Sequence, residues 1–302
     1  MQIDSADVAV KPRSYASISA GLLSVALYVL LVAPIFVFSA IGGQGLGRVI
    51  WPGLSPLFHG VSWIAGVFVV TWIMRVRVNR EPWSGMALPR PQVLRLLLGA
   101  AGGVAAILVA AAVEYQMGWL HIARIDTEAH RGLGKSLWLV LELLPSLAVG
   151  LSEELAFRGY VFRTLGERMP VWMAALLMSL VFAALHFSLS GFGVTFVLSV
   201  TITSLTLLML RFASGSLWLP IGFHGAWDWT QTYLVGLSTA GRQGYDPALA
   251  QVRQTGPSFW VGNGQAIEAG ALFMLIELIV LGLALLYTAV AGRRIAWMRR
   301  LD

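Results

Sequence analysis

Long apolar runs, each about as long as a membrane-crossing helix, dominate the 302-residue sequence. A bilayer has a hydrocarbon core about 30 Å thick, which an α-helix crosses in roughly 20 residues. Eight runs meet or approach this length, and they predict an all-α polytopic bundle of about eight transmembrane helices. The runs cover residues 15–41, 57–74, 93–113, 137–157, 170–188, 192–210, 216–236 and 270–292.

The composition indicates a membrane protein. Only 12% of the residues are charged and 57% are apolar, whereas a soluble domain carries roughly 25% charged residues. We therefore expect a multi-pass protein of the cell (inner) membrane, with the lipid bilayer as its main surroundings. The sequence contains no cysteine, which excludes disulfides, thiol nucleophiles and thiolate metal ligands.

The distribution of the basic residues predicts the orientation of the helices. If the N-terminus is cytoplasmic, fifteen of the 21 Lys and Arg residues fall on the inner side. Because inner loops carry an excess of Lys and Arg, both termini are expected in the cytoplasm. The clusters lie at the ends of apolar runs, without interleaved aromatic residues, which argues against nucleic-acid binding. The six outer residues are Arg48, Arg124, Arg131, Lys135, Arg242 and Arg253.

Two adjacent carboxylates, Glu153 and Glu154, lie at the end of the fourth apolar run. They would repel each other inside a membrane unless a cation is near. Arg158 follows Glu154 by four residues and shares its helix face, whereas Glu153 lies about 140° away from Arg158 around the axis. The spacing predicts that Glu154 is neutralised by Arg158 and that Glu153 is free to act on water.

Two further runs carry ionisable residues at membrane depth. His186 lies in the fifth run, and His224 and Asp228 lie one helical turn apart in the seventh. A single histidine in an apolar helix is usually a core residue, but ionisable side chains in several neighbouring spans indicate a functional site. By contrast, Gly99 and Gly103 in the third run predict close helix packing.

Several other polar residues are weaker candidates. We expect His59, His121 and His130 to lie at span edges or in loops. For Glu142 and Glu277 two roles stay open: each lines a water path or pairs with a residue on a neighbouring helix. Glu268 is expected to cap the final helix.

Three motifs together carry a family resemblance. Glu-Glu-x-x-x-Arg at 153–158, Phe-x-x-x-His at 182–186 and His-x-x-x-Asp at 224–228 resemble the CPBP family of CAAX-protease and bacteriocin-processing membrane proteins, which includes the Rce1-type prenyl-protein endopeptidases. The resemblance covers roughly residues 136–237. It implies an intramembrane endopeptidase that acts on a peptide or membrane-protein substrate.

The resemblance also implies a role for each carboxylate on the fourth run. Glu153, together with His186, would activate the attacking water. Glu154 and Arg158 would hold the first carboxylate in place.

On the seventh run, His224 and Asp228 would stabilise the oxyanion of the tetrahedral intermediate. The family often has Asn at the position of Asp228. An ionised Asp repels an oxyanion, so this role requires a protonated Asp228 or a His224 that Asp228 keeps charged.

The resemblance leaves the metal question open. The family is commonly described as metalloproteases, and Glu153, His186 and His224 could hold Zn²⁺ with one position open for water. Activation of water by Glu and His alone fits the residues equally well, and we favour it. The sequence contains no His-Glu-x-x-His helix.

The resemblance divides the chain into three segments. Residues 1–135 hold N-terminal transmembrane helices, residues 136–237 form the catalytic core, and residues 238–302 hold an outer loop and the C-terminal transmembrane helix. Two alternatives from other classes are a non-catalytic membrane scaffold or immunity protein, and a proton-coupled transporter that uses the same buried residues. The oligomeric state is not predicted.

One conflict follows from the predicted boundaries. Glu153 lies toward the cytoplasmic end of the run at 137–157, whereas His186 lies toward the outer end of the run at 170–188. The two side chains meet only if these helices are shifted, tilted or longer than predicted.

Overall fold

Helices form most of the chain. The computed structural model describes residues 15–50, 55–130, 133–190, 193–237, 248–262 and 267–290. The α-helices and strands, in chain order, are α1 (Tyr15–Phe38), α2 (Gln44–Ile50), α3 (Ser55–Trp72), α4 (Val93–Gln116), β1 (Leu120–Ile125), α5 (Lys135–Glu153), α6 (Phe162–Gly166), α7 (Val171–Ser190), α8 (Val194–Ser214), α9 (Trp218–Trp229), β2 (Ala250–Gln254), α10 (Ser258–Val261) and α11 (Ala271–Val290). The π-helical segments are Ser39–Gly43, Ile73–Val78, Glu154–Val161 and Thr230–Val235, and the 3₁₀ turns are Trp83–Met86 and Ile267–Ala269.

The predicted all-α membrane bundle is confirmed, but the count of eight spans is not. Within the described residues, six helices are long and apolar enough to cross a membrane. The fifth and seventh predicted runs fall on α7 and α9, and their apolar α-helical parts are shorter than the six. The six helices are Ile18–Ile50, Leu57–Val78, Val93–Gln116, Lys135–Gly166, Val194–Ser214 and Ala271–Val290.

Helices α4 and α9 pack backbone against backbone. A Cβ added at Gly99 would lie 2.0 Å from the carbonyl oxygen of Leu219, and one at Gly103 would lie 2.2 Å from that of Phe223. Neither distance is compatible with a side chain, so only glycine allows this approach. The predicted packing role of the two glycines is confirmed.

The helix that carries the paired carboxylates is longer than predicted. Helix α5 continues through the π-helical segment Glu154–Val161 and α6, so that one apolar span runs over 32 residues from Lys135 to Gly166. Glu153 therefore lies near the middle of this span instead of near its end. The predicted boundary at residue 157 was wrong, and the conflict over the depth of Glu153 disappears.

A small antiparallel sheet joins two loops at one end of the bundle. Strand β1 pairs with β2 from Leu120↔Gln254 to Ile125↔Ala250. The sheet was not predicted, because two strands of six and five residues carry little periodic signal between much longer apolar runs. Directly after β1, Asp126 accepts a hydrogen bond from Lys135 over 2.6 Å. This hydrogen bond holds the pKa of Asp126 below its usual value.

An ion-pair network joins helices at the opposite end of the Lys135–Gly166 span. The fully buried guanidinium of Arg75 donates two hydrogen bonds to Glu167, over 2.9 and 2.8 Å. Arg163 adds a third, over 2.7 Å. Burial raises the pKa of Glu167, but the two guanidinium groups outweigh it and hold that pKa below its usual value. The network fastens the end of the α3 span to the turn between α6 and α7.

Glu167→Gln should destabilise the protein, because it removes the counter-charge of a buried guanidinium. The expected cost is about 3 kcal/mol, and the thermal midpoint in detergent should fall by roughly 6–12 °C. Glu128→Gln is the matched control. Glu128 pairs with Arg124 at the surface with 77% of its side chain exposed, so its loss should be nearly silent. Equal midpoints for both variants would contradict the stabilising role of the network.

Candidate active site

The site forms where α5 and α9 cross. A Cβ on Gly225 would lie 2.7 Å from the Cα of Leu147, and one on Gly150 would lie 2.9 Å from the backbone nitrogen of Gly225. The two backbones are therefore nearly in contact at this crossing. Residues one turn further along α5 come to lie beside His224, which precedes Gly225 directly.

Glu154 is the carboxylate of the site with the most hydrogen bonds. Its Oε1 accepts a hydrogen bond from Arg158 Nη1 over 2.9 Å and another from His224 Nδ1 over 2.9 Å. The side chains of Glu154 and Arg158 are completely buried. The predicted pairing of these two residues is confirmed. The bond to His224 was not predicted, and it shows that this ion pair holds an imidazole directly.

Arg158 is itself held by groups from two other helices. Its Nη2 donates to the carbonyl oxygen of Ser204 over 3.3 Å, and its guanidinium lies over the ring of Phe182 at 4.4 Å. Buried Arg211 on α8 donates to the backbone carbonyl of Arg158. Sequence reasoning missed Arg211, because a basic residue near a helix end is typical of a topology signal.

Glu153 faces two imidazole rings. Its Oε2 lies 3.9 Å from Nε2 of His186 and 3.8 Å from Nε2 of His224. This oxygen is shielded from solvent and makes no hydrogen bond to the described residues. The side chain as a whole is 19% exposed. Glu153 therefore lacks a hydrogen-bonded guanidinium like the one that neutralises Glu154. A water molecule that donated a hydrogen bond to Oε2 would also lie close to both histidines.

The orientation of His186 follows from its backbone contact. Nδ1 lies 2.8 Å from the carbonyl oxygen of Phe182, and the two rings lie 4.3 Å apart. Since a carbonyl oxygen can only accept, Nδ1 must carry the hydrogen. In the neutral ring Nε2 then presents its lone pair toward Glu153.

His224 has a different environment, because three carboxylates lie within 4 Å of its ring. Glu154 contacts Nδ1, while Glu153 and Asp228 lie 3.8 and 3.7 Å from Nε2. Asp228 is the most exposed of the group, at 39%. The four predicted catalytic residues, drawn from α5, α7 and α9, thus lie around one point.

The described residues contain no group of three or more His, Asp or Glu side chains that forms a metal site. Ligand atoms about 2.0–2.1 Å from a tetrahedral Zn²⁺ lie roughly 3.3 Å from one another. The gaps of 3.8 and 3.9 Å between Glu153 and the two histidines are wider. The predicted ligand atoms therefore do not lie at the separations of a zinc site in this arrangement.

The weaker histidine candidates lie elsewhere. His121 hydrogen-bonds Thr255 beside the sheet over 2.9 Å. His130 packs against Trp138, and His59 packs against Phe36.

Three further carboxylates have distinct environments. Glu142 and Glu277 are buried in α5 and α11. Glu268, which was predicted to cap the final helix, accepts a hydrogen bond from Gln231 over 2.8 Å.

The two adjacent carboxylates should differ in their effect on stability. Glu154→Gln leaves a fully buried guanidinium without its counter-charge, at a cost of about 3–5 kcal/mol. The thermal midpoint should fall by at least roughly 6 °C. Glu153→Gln removes a partly exposed carboxylate whose Oε2 makes no direct hydrogen bond to the described residues, so its midpoint should fall far less than that of Glu154→Gln. A lowered midpoint in Glu153→Gln with none in Glu154→Gln would show that the pairing is assigned to the wrong residue.

Comparison with known families agrees with this site. Residues 135–230, about a third of the chain, match the family model described as type II CAAX prenyl endopeptidase Rce1-like, and the matched range contains all seven residues of the three motifs. A search of curated proteins gave no match. The family predicted from the three motifs is confirmed: residues 135–230 of this multi-pass membrane chain form an Rce1-like domain.

Proposed function

We propose that the protein is an intramembrane endopeptidase of the cell (inner) membrane in which Glu153 and His186 activate a water molecule. The observation that carries this proposal is the convergence of Glu153 Oε2 with Nε2 of His186 and of His224, at 3.9 and 3.8 Å. A water molecule about 2.8 Å from each of two such atoms bridges a gap of this size with normal hydrogen bonds.

The first step is attack on the scissile carbonyl. Glu153 takes a proton from water while the water oxygen bonds to the carbonyl carbon, and the carbonyl oxygen becomes an oxyanion. The Nε2 lone pair of His186 accepts a hydrogen bond from the second hydrogen of the same water and so orients the water. The C–N bond then breaks, and protonated Glu153 returns its proton to the leaving amine.

In this proposal His224 stabilises the oxyanion. As an imidazolium it donates from Nδ1 to Glu154 and from Nε2 toward the substrate, and the three surrounding carboxylates compensate its charge. Asp228 stays beside Nε2 as the counter-ion. A charged His224 therefore removes the objection that an ionised Asp228 would repel the oxyanion.

The substrate is a peptide or a membrane protein whose backbone reaches the site from the bilayer. Peptide groups at membrane depth are tolerated only where protein or water satisfies them. The partial exposure of Glu153, His186 and Asp228 provides such a polar surface. The protease also has support over the scaffold and transporter alternatives, because every residue of the three motifs is present and lies at one point.

Cleavage by the purified protein tests the proposal. Detergent-solubilised wild type should hydrolyse members of a panel of fluorogenic peptides, with and without a prenyl group. Glu153→Gln and His186→Ala should each lower kcat/KM by roughly 10²–10⁴, because each removes a group that contacts the attacking water.

His121→Ala is the matched control, since it removes an exposed histidine in β1 and should cleave like wild type. A strong chelator should leave wild-type cleavage unchanged. Loss of activity in the chelator, restored by added Zn²⁺, would contradict the metal-free activation of water. Equal cleavage by wild type, Glu153→Gln and His186→Ala would contradict the assignment of the site.

A further inference from the structure

The segment that precedes the last helix lies outside the family-matched residues and contacts the continuation of the helix that carries His224 and Asp228. Glu268, in the 3₁₀ turn Ile267–Ala269, accepts a hydrogen bond from Nε2 of fully buried Gln231 over 2.8 Å. The Glu268 side chain is partly buried, but its Oε2 is shielded from solvent and has no hydrogen-bond partner among the described residues. A carboxylate in this setting costs stability, which suggests a role beyond packing.

Helical geometry connects this pair to the catalytic residues. His224 and Asp228 lie four residues apart in α9, and side chains at this spacing share one helix face. Gln231 follows Asp228 by three residues, at the start of the π-helical segment that continues α9. Burial and the charge of Asp228 raise the pKa of Glu268 against the opposing Gln231 hydrogen bond, to about 7. Glu268 is thus an electrostatic neighbour of Asp228.

The catalytic helix also changes its backbone geometry at this point. Helix α9 ends at Trp229, and the π-helical segment Thr230–Val235 follows directly. Such segments are uncommon and often occur at functional sites. The side-chain bond of Gln231 to Glu268 lies within this segment, three residues after Asp228.

We propose that Glu268 is a positioning residue, which holds Gln231 and so keeps Asp228 and His224 in their catalytic orientation. This inference rests on the proposed protease function. Since Glu268 touches neither the attacking water nor the scissile bond in this proposal, its loss should act on the turnover rate rather than on substrate affinity.

An exchange of the two side chains tests the proposal. Gln231→Glu sets two carboxyl groups against each other and should lower kcat by roughly 10–100-fold, with KM little changed. The double variant Gln231→Glu/Glu268→Gln rebuilds the hydrogen bond in the opposite direction. It should restore kcat to within about threefold of wild type, a recovery that a merely volume-filling role would not produce.

A second Gln–Glu pair provides the matched control. Gln254 on β2 donates to buried Glu114 on α4 over 2.7 Å. Gln254→Glu, alone or with Glu114→Gln, should alter the thermal midpoint but not kcat. The proposal is overturned if Gln231→Glu lowers kcat no more than Gln254→Glu does, or if the folded double variant fails to recover.

NMR signals of the histidine rings test the positioning role of Glu268 separately from the protease function. In ¹⁵N-histidine-labelled protein, Gln231→Glu should shift the His224 ring resonances and the double variant should restore them. If wild type cleaves no peptide while these shifts occur, the protease assignment fails and the positioning contact stands. Unmoved His224 resonances in Gln231→Glu would overturn the positioning role whatever the cleavage result.

Discussion

The buried ion pair between Glu154 and Arg158 is the interaction on which the candidate active site depends. Both side chains are completely buried, where an uncompensated charge of either sign would be very costly. Their pairing permits the same carboxylate to hold His224 at 2.9 Å. Because Arg158 is already bonded to Glu154, Glu153 is the carboxylate that acts on water in the proposed mechanism. Adjacent and chemically identical residues thereby have different environments.

Two features of the backbone bring this ion pair into place. The glycines at the crossing of α5 and α9 allow a separation that any side chain would prevent. Directly after Glu153, the helix becomes π-helical over Glu154–Val161, and Arg211 from α8 takes up the carbonyl of Arg158. The site is therefore assembled by helix packing around a local irregularity, which agrees with the frequent use of π-helical turns at functional positions.

Much of this arrangement could be predicted from the sequence. The apolar runs predicted a membrane bundle, and the four-residue spacing predicted the Glu154–Arg158 pair. The contact of Glu154 with His224 could not be predicted, because it depends on which helices cross. The boundary error at residue 157 has a similar cause, since charged residues that are neutralised by tertiary contacts look like a span end. The sheet and the Gln231–Glu268 bond join distant segments, and a single sequence carries no signal for such contacts.

We propose that Glu154 holds a charged His224, while His186 remains a neutral acceptor facing Glu153. ¹⁵N NMR of histidine-labelled protein in detergent near neutral pH measures both states directly, with each signal assigned by single substitution. We expect protonation of both ring nitrogens of His224 and of Nδ1 alone in His186. A neutral His224, or a His186 that carries its hydrogen on Nε2, would contradict it.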